Sequence, residues 1–352
     1  MHKTLERRYL FFVSQNYSFP VLRPLQTEIL KQGHSIKWFL FGDNIDYSLV
    51  DSSELQLHSV SEIIAYNPDA VFVPGNVVPS FIPGVKVEVF HGLPGNKVTR
   101  KGEVYHYIIR GMFDLYCTQG PESTQKFKKL SKEYGYFNVR ETGWSKLDPL
   151  FPILKQTDRK RRSILFASTF SPRFSKAREL YPFLLEMMQR HDIDWYITLH
   201  PIMPKEIVAL YKSINLPNVT FIEPTELIEH FRVSDMMLCD TSSIVYEFLS
   251  QIKPVVTYQT HKKEDSIIDV ENLDELEEKI LYVLENLDCN RENIEKHVEQ
   301  FHPYRDGISS RRVLAAVEEM ILGNNLPKKR KPMNFIRNMK LRKELNYWKI
   351  RI

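Results

Sequence analysis

Short apolar runs alternate with helix-patterned stretches along almost the whole chain, and no other feature restricts the fold as strongly. Brief apolar strands separated by amphipathic helices build parallel sheets, because a parallel pair needs a crossover long enough to hold a helix. In the first half, strands are expected at Tyr9–Val13, Ile36–Phe41, Ala70–Val73, Val85–Phe90 and Leu115–Cys117. A helix is expected from about Val21 to Gln32, stopped by Gly33, which can take the left-handed geometry of a C-cap. Another should follow Pro121 over Glu122–Tyr134, with Phe127, Leu130 and Tyr134 on one side.

The charged stretch Lys155 to Arg162 divides this series from a second one and reads as an interdomain linker. The second series places strands at Ser163–Ala167, Trp195–Leu199, Val219–Ile222, Met236–Cys239 and Pro254–Tyr258. Helices are expected between them at Lys176–Arg190, with a kink or split at Pro182, and at Lys205–Ser213, Thr225–Phe231 and Ser242–Ser250. Two more close the series, around Leu273–Asn286 and Arg291–His297. A chain of 352 residues accommodates two such domains. The expected class is α/β with two Rossmann-like domains facing a central cleft, the GT-B architecture. Residues 1–155 form the first domain, 156–323 the second, and 324–352 a basic amphipathic tail.

Three widely spaced cysteines, Cys117, Cys239 and Cys289, include no CxxC pair, so neither a disulfide framework nor a zinc site is expected. No metal and no cofactor are called for. No apolar run reaches the length of a spanning helix, and the amino-terminal run Tyr9–Val13 is too short for a signal-peptide core. The expected location is cytoplasmic. The net charge of +4 hides an asymmetry: ten Lys or Arg and one acid lie between Asn324 and Ile352, leaving the rest of the chain acidic. General nucleic-acid binding does not fit that distribution, whereas a local anionic partner at one end does. Phe335, Ile336, Met339, Leu341, Tyr347 and Trp348 interleave with those cations, a pattern suited to a helix lying on an anionic membrane surface. The alternative is a terminal helix packed back across the first domain.

Ligands of open α/β sheets bind beyond the carboxyl ends of strands, so polar residues directly after strands deserve scrutiny. His91 follows Val85–Phe90 and precedes Gly92-Leu93-Pro94, a tight turn that would aim its ring outward. An imidazole titrates near neutrality and suits deprotonation of a hydroxyl, although a histidine bonded to a backbone carbonyl explains the same position. His200 leaves the strand Trp195–Leu199, and Pro201 keeps it extended. Asp240-Thr241-Ser242-Ser243 follows Met236–Cys239 and opens a helix, where free N–H groups and hydroxyls could hold a pyrophosphate; one of them could simply cap that helix. Asp306-Gly307-Ile308-Ser309-Ser310-Arg311-Arg312 could grip a phosphate through a guanidinium fork, or be a surface loop. Asp192-Ile193-Asp194 spells a DxD pattern but precedes its strand, so it reads as a turn.

Together these stretches resemble the CDP-glycerol glycerophosphotransferase family, which builds teichoic-acid-type polymers and related capsules. The matching elements are His91-Gly92 with Lys97, Thr142-Gly143-Trp144-Ser145-Lys146-Leu147-Asp148, His200-Pro201, Asp240–Ser243 with Glu247, and Asp306-Gly307 with Ser309 and Arg312. The resemblance implies attack of an acceptor hydroxyl on the phosphorus bearing the alcohol, with CMP leaving. It makes His91 the base and His200 the group that steadies the phosphates or the leaving group. Donor binding would fall to Asp240, Thr241, Ser242, Ser243, Arg312 and Lys146, and acceptor or phosphate contacts to Gly92 and Lys97. The implied partners are a CDP-alcohol donor, a glycan or polyol-phosphate acceptor, and the inner face of the cell membrane. Leu93 and Thr241 depart from the Thr and Tyr common in the family, which leaves the donor alcohol open with glycerol as the default. Competing readings are a nucleotide-sugar glycosyltransferase or epimerase on the same fold, and a non-catalytic scaffold on a membrane-bound polymerase.

Overall fold

The apolar runs become strands within a few residues of their expected bounds in the computed structural model, which describes residues 5–42, 45–93, 102, 104–153, 161–223, 226–324 and 326–349. The chain forms two compact units, Met1–Asp148 with Asp306–Ile352, and Pro149–Arg305.

The first unit runs β1 (Arg8–Val13), α1 (Phe19–Lys31), β2 (Ser35–Leu40), β3 (Gln56–Leu57), α2 (Val60–Tyr66), β4 (Ala70–Val73), β5 (Val85–Glu88), β6 (Leu115–Thr118), α3 (Pro121–Tyr134) and β7 (Asn138–Glu141). Its parallel sheet has the order β3-β2-β1-β4-β5-β6-β7. Leu10, Phe11 and Phe12 of β1 are buried in succession, because a parallel sheet covered on both faces needs apolar side chains in both directions. The strand order turns back between β1 and β4, which places a crevice at their carboxyl ends.

The second unit runs β8 (Arg162–Ser168), α4 (Ala177–Arg190), β9 (Ile193–Leu199), α5 (Lys205–Lys212), β10 (Val219–Phe221), α6 (Leu227–Val233), β11 (Met236–Cys239), α7 (Ile244–Leu249), β12 (Val255–Tyr258), β13 (Ile268–Val270), α8 (Leu273–Glu285) and α9 (Arg291–Phe301). The sheet order is β10-β9-β8-β11-β12-β13, all parallel, and the switch point lies between β8 and β11. Helix α4 is continuous through Pro182 rather than split. Asp192 and Asp194 pair with Arg161 at the amino end of β9, away from the switch point, as a turn would.

The division differs from the expected one at both ends. The chain leaves the first unit at Asp148, and most of the charged linker lies outside the described residues. Residues 306–323, assigned from sequence to the second domain, return to the first as α10 (Ser309–Ile321). Asp148 is the physical reason. Its two carboxylate oxygens accept from the N–H groups of Ser309 and Ser310 at 2.8 and 2.7 Å, capping α10 where the chain re-enters. Val313, Leu314, Val317 and Met320 then bury one face of the helix, and Arg7 pairs with Glu318 at 2.6 Å.

The tail follows the same route. Lys331 pairs with Asp114 at 2.7 Å, and α11 (Phe335–Glu344) sends Leu341 into the first unit's core, joined by Tyr347. Pro332 passes so close to Gly111 that a Cβ there would meet its ring at 2.4 Å, so that site, at φ +70°, accepts glycine only.

Candidate active site

In the first unit the carboxyl ends of β1, β4 and β5 bring together Tyr17, Pro74 and His91. Nδ1 of His91 lies 3.0 Å from the carbonyl oxygen of Pro74. A carbonyl only accepts, so Nδ1 carries the proton and Nε2 is the basic nitrogen. Tyr17 stacks on the imidazole with ring centroids 4.4 Å apart. Phe90 adopts φ +53°, which ends the strand abruptly and turns His91 out of the sheet. Two side chains hold that turn: Trp144 Nε1 donates to the Phe90 carbonyl at 3.1 Å, and Gln119 Nε2 donates to the Gly92 carbonyl at 2.9 Å. No atom of the described residues lies within 4 Å of where a Cβ of Gly92 would stand.

Lys146 sits over the Trp144 ring, 5.2 Å from its centroid, beside the turn that carries His91. Arg312 directs both guanidinium nitrogens to Asp306. Both residues were assigned from sequence to donor binding; Lys146 folds within the first unit, in keeping with its place in residues 1–155, whereas Arg312 folds there and not in the second unit with Thr241–Ser243. The reason is the Asp148 cap, which returns α10 and Arg312 to the first unit. Lys97 lies outside the described residues.

In the second unit the carboxyl ends of β8, β9, β11 and β12 converge. His200 ends β9, and its Nδ1 accepts from the N–H of Ile202 at 3.3 Å. A ring that accepts at Nδ1 carries its proton on Nε2, the reverse of His91. Phe170, in the loop after β8, packs on His200 with centroids 4.4 Å apart.

Asp240, 1% exposed, bridges the switch point. Its carboxylate accepts from the Ser168 hydroxyl, from Thr169 N–H at 2.9 Å and from Lys176 N–H at 3.0 Å. Burial raises its pKa above the ordinary aspartate value and these bonds oppose the shift. Asp240 thereby fixes the loop between β8 and α4 against the β11 end.

Thr241 Oγ1 accepts from the N–H of His261 at 2.9 Å and so ties the β11 end to the β12 end. Ser243 is the N-cap of α7 but its side chain makes no capping bond. The helix starts later and is shorter than expected, covering six residues. The hydroxyls of Ser242 and Ser243 are therefore not used for capping, which removes the simplest structural explanation for them. Among the described residues no group of His, Cys, Asp and Glu is arranged to hold a metal ion.

Sequence reasoning missed Tyr17, Gln119 and Phe170. The first and last directly follow β1 and β8, so the strand-end criterion applied to the histidines would have found them. Gln119 immediately follows β6, so the same criterion reaches it, although its partner, the Gly92 carbonyl, lies 27 residues away.

Residues 156–319 match the family described as CDP-glycerol:poly(glycerophosphate) glycerophosphotransferase. The minor teichoic acid biosynthesis protein GgaB of Bacillus subtilis (strain 168) is 24% identical over 149 residues, which are 39% of this chain and 16% of that protein. The match thus spans about a sixth of GgaB. Among solved structures, the wall teichoic acid polymerase TagF superposes with a TM-score of 0.64 at 14% identity, covering 90% of this chain and 89% of that one. A protein described as a UDP-N-acetylglucosamine 2-epimerase from Listeria monocytogenes gives a TM-score of 0.61 at 14% identity, covering 94% of this chain and all of that one. At such identities the likeness is one of fold, and the fold is GT-B.

Proposed function

We propose, for a chain whose residues 156–319 match the CDP-glycerol:poly(glycerophosphate) glycerophosphotransferase family, that it is a member of that family and moves glycerol phosphate from CDP-glycerol to a hydroxyl of a cell-surface glycan or polyol-phosphate polymer, releasing CMP. The observation that carries this reading is the opposite protonation of two strand-end histidines. His91, with its proton on Nδ1 held by Pro74, offers Nε2 as a base for the acceptor hydroxyl. His200, with Nδ1 engaged by Ile202, offers an N–H donor for a phosphate or leaving-group oxygen. An in-line displacement at phosphorus needs one group of each kind. The acceptor O–H bond breaks toward His91, a new O–P bond forms, and the bond to the CMP oxygen breaks with its electrons on CMP. Phosphoryl transfer depends mainly on positioning and charge stabilisation, and the hydroxyls of Ser242 and Ser243 would contribute donors to the pyrophosphate.

Support for the donor comes from TagF, one structure of which is of a variant soaked with CDPG. Epimerase-like use of the same fold is the second reading, favoured only by likeness of fold to structures described as UDP-N-acetylglucosamine 2-epimerases. Incubation with a panel of CDP-alcohols and UDP-sugars separates the two: CMP from CDP-glycerol supports the proposal, and turnover of UDP-sugars only would overturn it.

The location follows as part of the same proposal: cytoplasmic, at the inner face of the membrane. No helix of the described residues is long and apolar enough to cross a bilayer. The tail exposes Met333, Phe335, Ile336 and Trp348 beside its lysines and arginines while Leu341 and Tyr347 pack inward. Apolar groups for the acyl boundary and cations for anionic headgroups suit reversible binding, at about 1 kcal/mol per basic residue. Deleting the tail would strip Leu341 from the core, so the informative variant is Phe335→Asp with Ile336→Asp. It should lose flotation with anionic vesicles and keep its melting temperature; unchanged or salt-insensitive flotation would refute the membrane contact.

A further inference from the structure

Arg110 lies within the group of side chains around His91, and none of the roles above uses it. Its guanidinium rests over the Tyr105 ring, 4.9 Å from the centroid, and Nη1 donates to Asn76 Oδ1 at 3.0 Å. Asn76 stands two residues after Pro74, the acceptor for His91. Tyr17, stacked on His91, is electrostatically coupled to both Tyr105 and Glu88, and Glu88 in turn to Arg110. The backbone is fixed as well, since Asn334 and Arg337 donate to the Arg110 carbonyl at 3.1 and 2.8 Å.

Two features separate this guanidinium from an ordinary surface arginine. It forms no salt bridge with a described residue, and the carboxyl that feels its charge is a buried one. Glu88 is fully buried, and burial holds its carboxyl well above the ordinary glutamate range against the pull of Arg110, which weakens it as a counter-charge. A guanidinium resting over an aromatic ring, with no ion-paired carboxylate among the described residues, has planar N–H pairs matched to phosphoryl oxygens.

We propose that Arg110, braced by Tyr105 and Asn76, is an anion site that takes a phosphate of the acceptor whose hydroxyl meets His91. The inference rests on the transferase reading and narrows its acceptor to phosphate-bearing chains over neutral glycans. No bond is made or broken at Arg110. It orients the acceptor, and the charge it meets is already present before transfer.

Arg110→Gln keeps a planar group of similar reach and removes the charge. With CDP-glycerol as donor, it should raise KM for a soluble phosphate-bearing acceptor by about 10–100-fold, the usual range for a lost charge-assisted bond. KM for CDP-glycerol and for an uncharged polyol acceptor should not change. Arg110→Lys should recover part of the loss as a point charge. An equal rise in KM for the uncharged acceptor would overturn the proposal. A second measurement needs no turnover: inorganic phosphate titrated into the donor-free protein, followed by NMR of the His91 ring. A saturable shift in the wild type that is absent in Arg110→Gln supports the site. No shift in the wild type, or an equal shift in both, refutes it. CMP release failing while the Arg110-dependent shift persists would fault the transferase reading and leave the anion site standing.

Discussion

Replacing Asp148 should destabilise the first unit more than any substitution in the histidine loops. Its carboxylate accepts from two backbone N–H groups, those of Ser309 at 2.8 Å and Ser310 at 2.7 Å. Ser309 and Ser310 are 1% and 3% exposed, so water cannot take over those bonds when the carboxylate is removed. Hydrogen bonds to a charged partner contribute about 1.5–3 kcal/mol each, and the cost of burying the carboxylate offsets part of the pair. Asp148→Ala should therefore lose about 2–4 kcal/mol, and Asp148→Asn, with one acceptor left, about half of that. The pH dependence gives an independent check. Burial, opposed by the capping bonds, raises the Asp148 pKa above the ordinary value. A raised folded-state pKa means the group's contribution is fully present below the unfolded value and is lost as pH rises through the folded one. Acidification should thus preserve or enlarge the wild type's advantage over Asp148→Asn. Urea unfolding at two pH values, read as midpoint and slope, measures both effects. A loss below about 0.5 kcal/mol for Asp148→Ala, typical of an indifferent surface site, would refute the claim that this residue returns the chain to the first unit.

Three further outcomes follow from the same geometry. His200→Ala should lower turnover by about 10²–10³-fold, as loss of a transition-state donor does, with an unchanged melting temperature; wild-type turnover would exclude His200 from the chemistry. Ser242→Ala and Ser243→Ala should weaken CDP-glycerol binding by about 1.5–3 kcal/mol and cost little stability, because neither caps α7; calorimetric titration and thermal melts decide, and unchanged affinity in both removes this stretch from the site. Lys86 is buried, and burial first, Lys331 second, push its pKa down to about 7. A depressed lysine binds its proton less tightly folded than unfolded, so wild-type stability should gain on Lys86→Met as pH rises above about 7, by at most about 1.4 kcal/mol per unit. A pH-independent difference would contradict that shift.

The sheet framework was legible because strands buried on both faces must be continuously apolar. Leu10–Val13, Val71–Val73 and Met236–Cys239 could be little else. Three edge strands escaped notice for the complementary reason: Gln56–Leu57, Asn138–Glu141 and Ile268–Val270 lie at sheet edges, and Asn138–Glu141 is mostly polar. The strand-end histidines were legible from position, and their tautomers were not, since Pro74 and Ile202 select them through contacts that spacing does not encode. Which unit owns α10 was hidden as well. The information sits in one residue, Asp148, which meets Ser309 across 161 positions. Asp240 was legible as a polar strand end at the switch point, while its bonds to Ser168, Thr169 and Lys176 were not, since they join residues at least 64 positions apart.

The central claim is that His91 accepts the acceptor's proton during displacement of CMP from CDP-glycerol. Its most direct test is CMP release by His91→Ala beside the wild type, at saturating donor, with CDP-glycerol affinity measured in parallel. The account predicts turnover reduced by about 10²–10⁴-fold with donor affinity and folding unchanged. A variant that releases CMP at more than roughly a tenth of the wild-type rate, well outside that range, would contradict it.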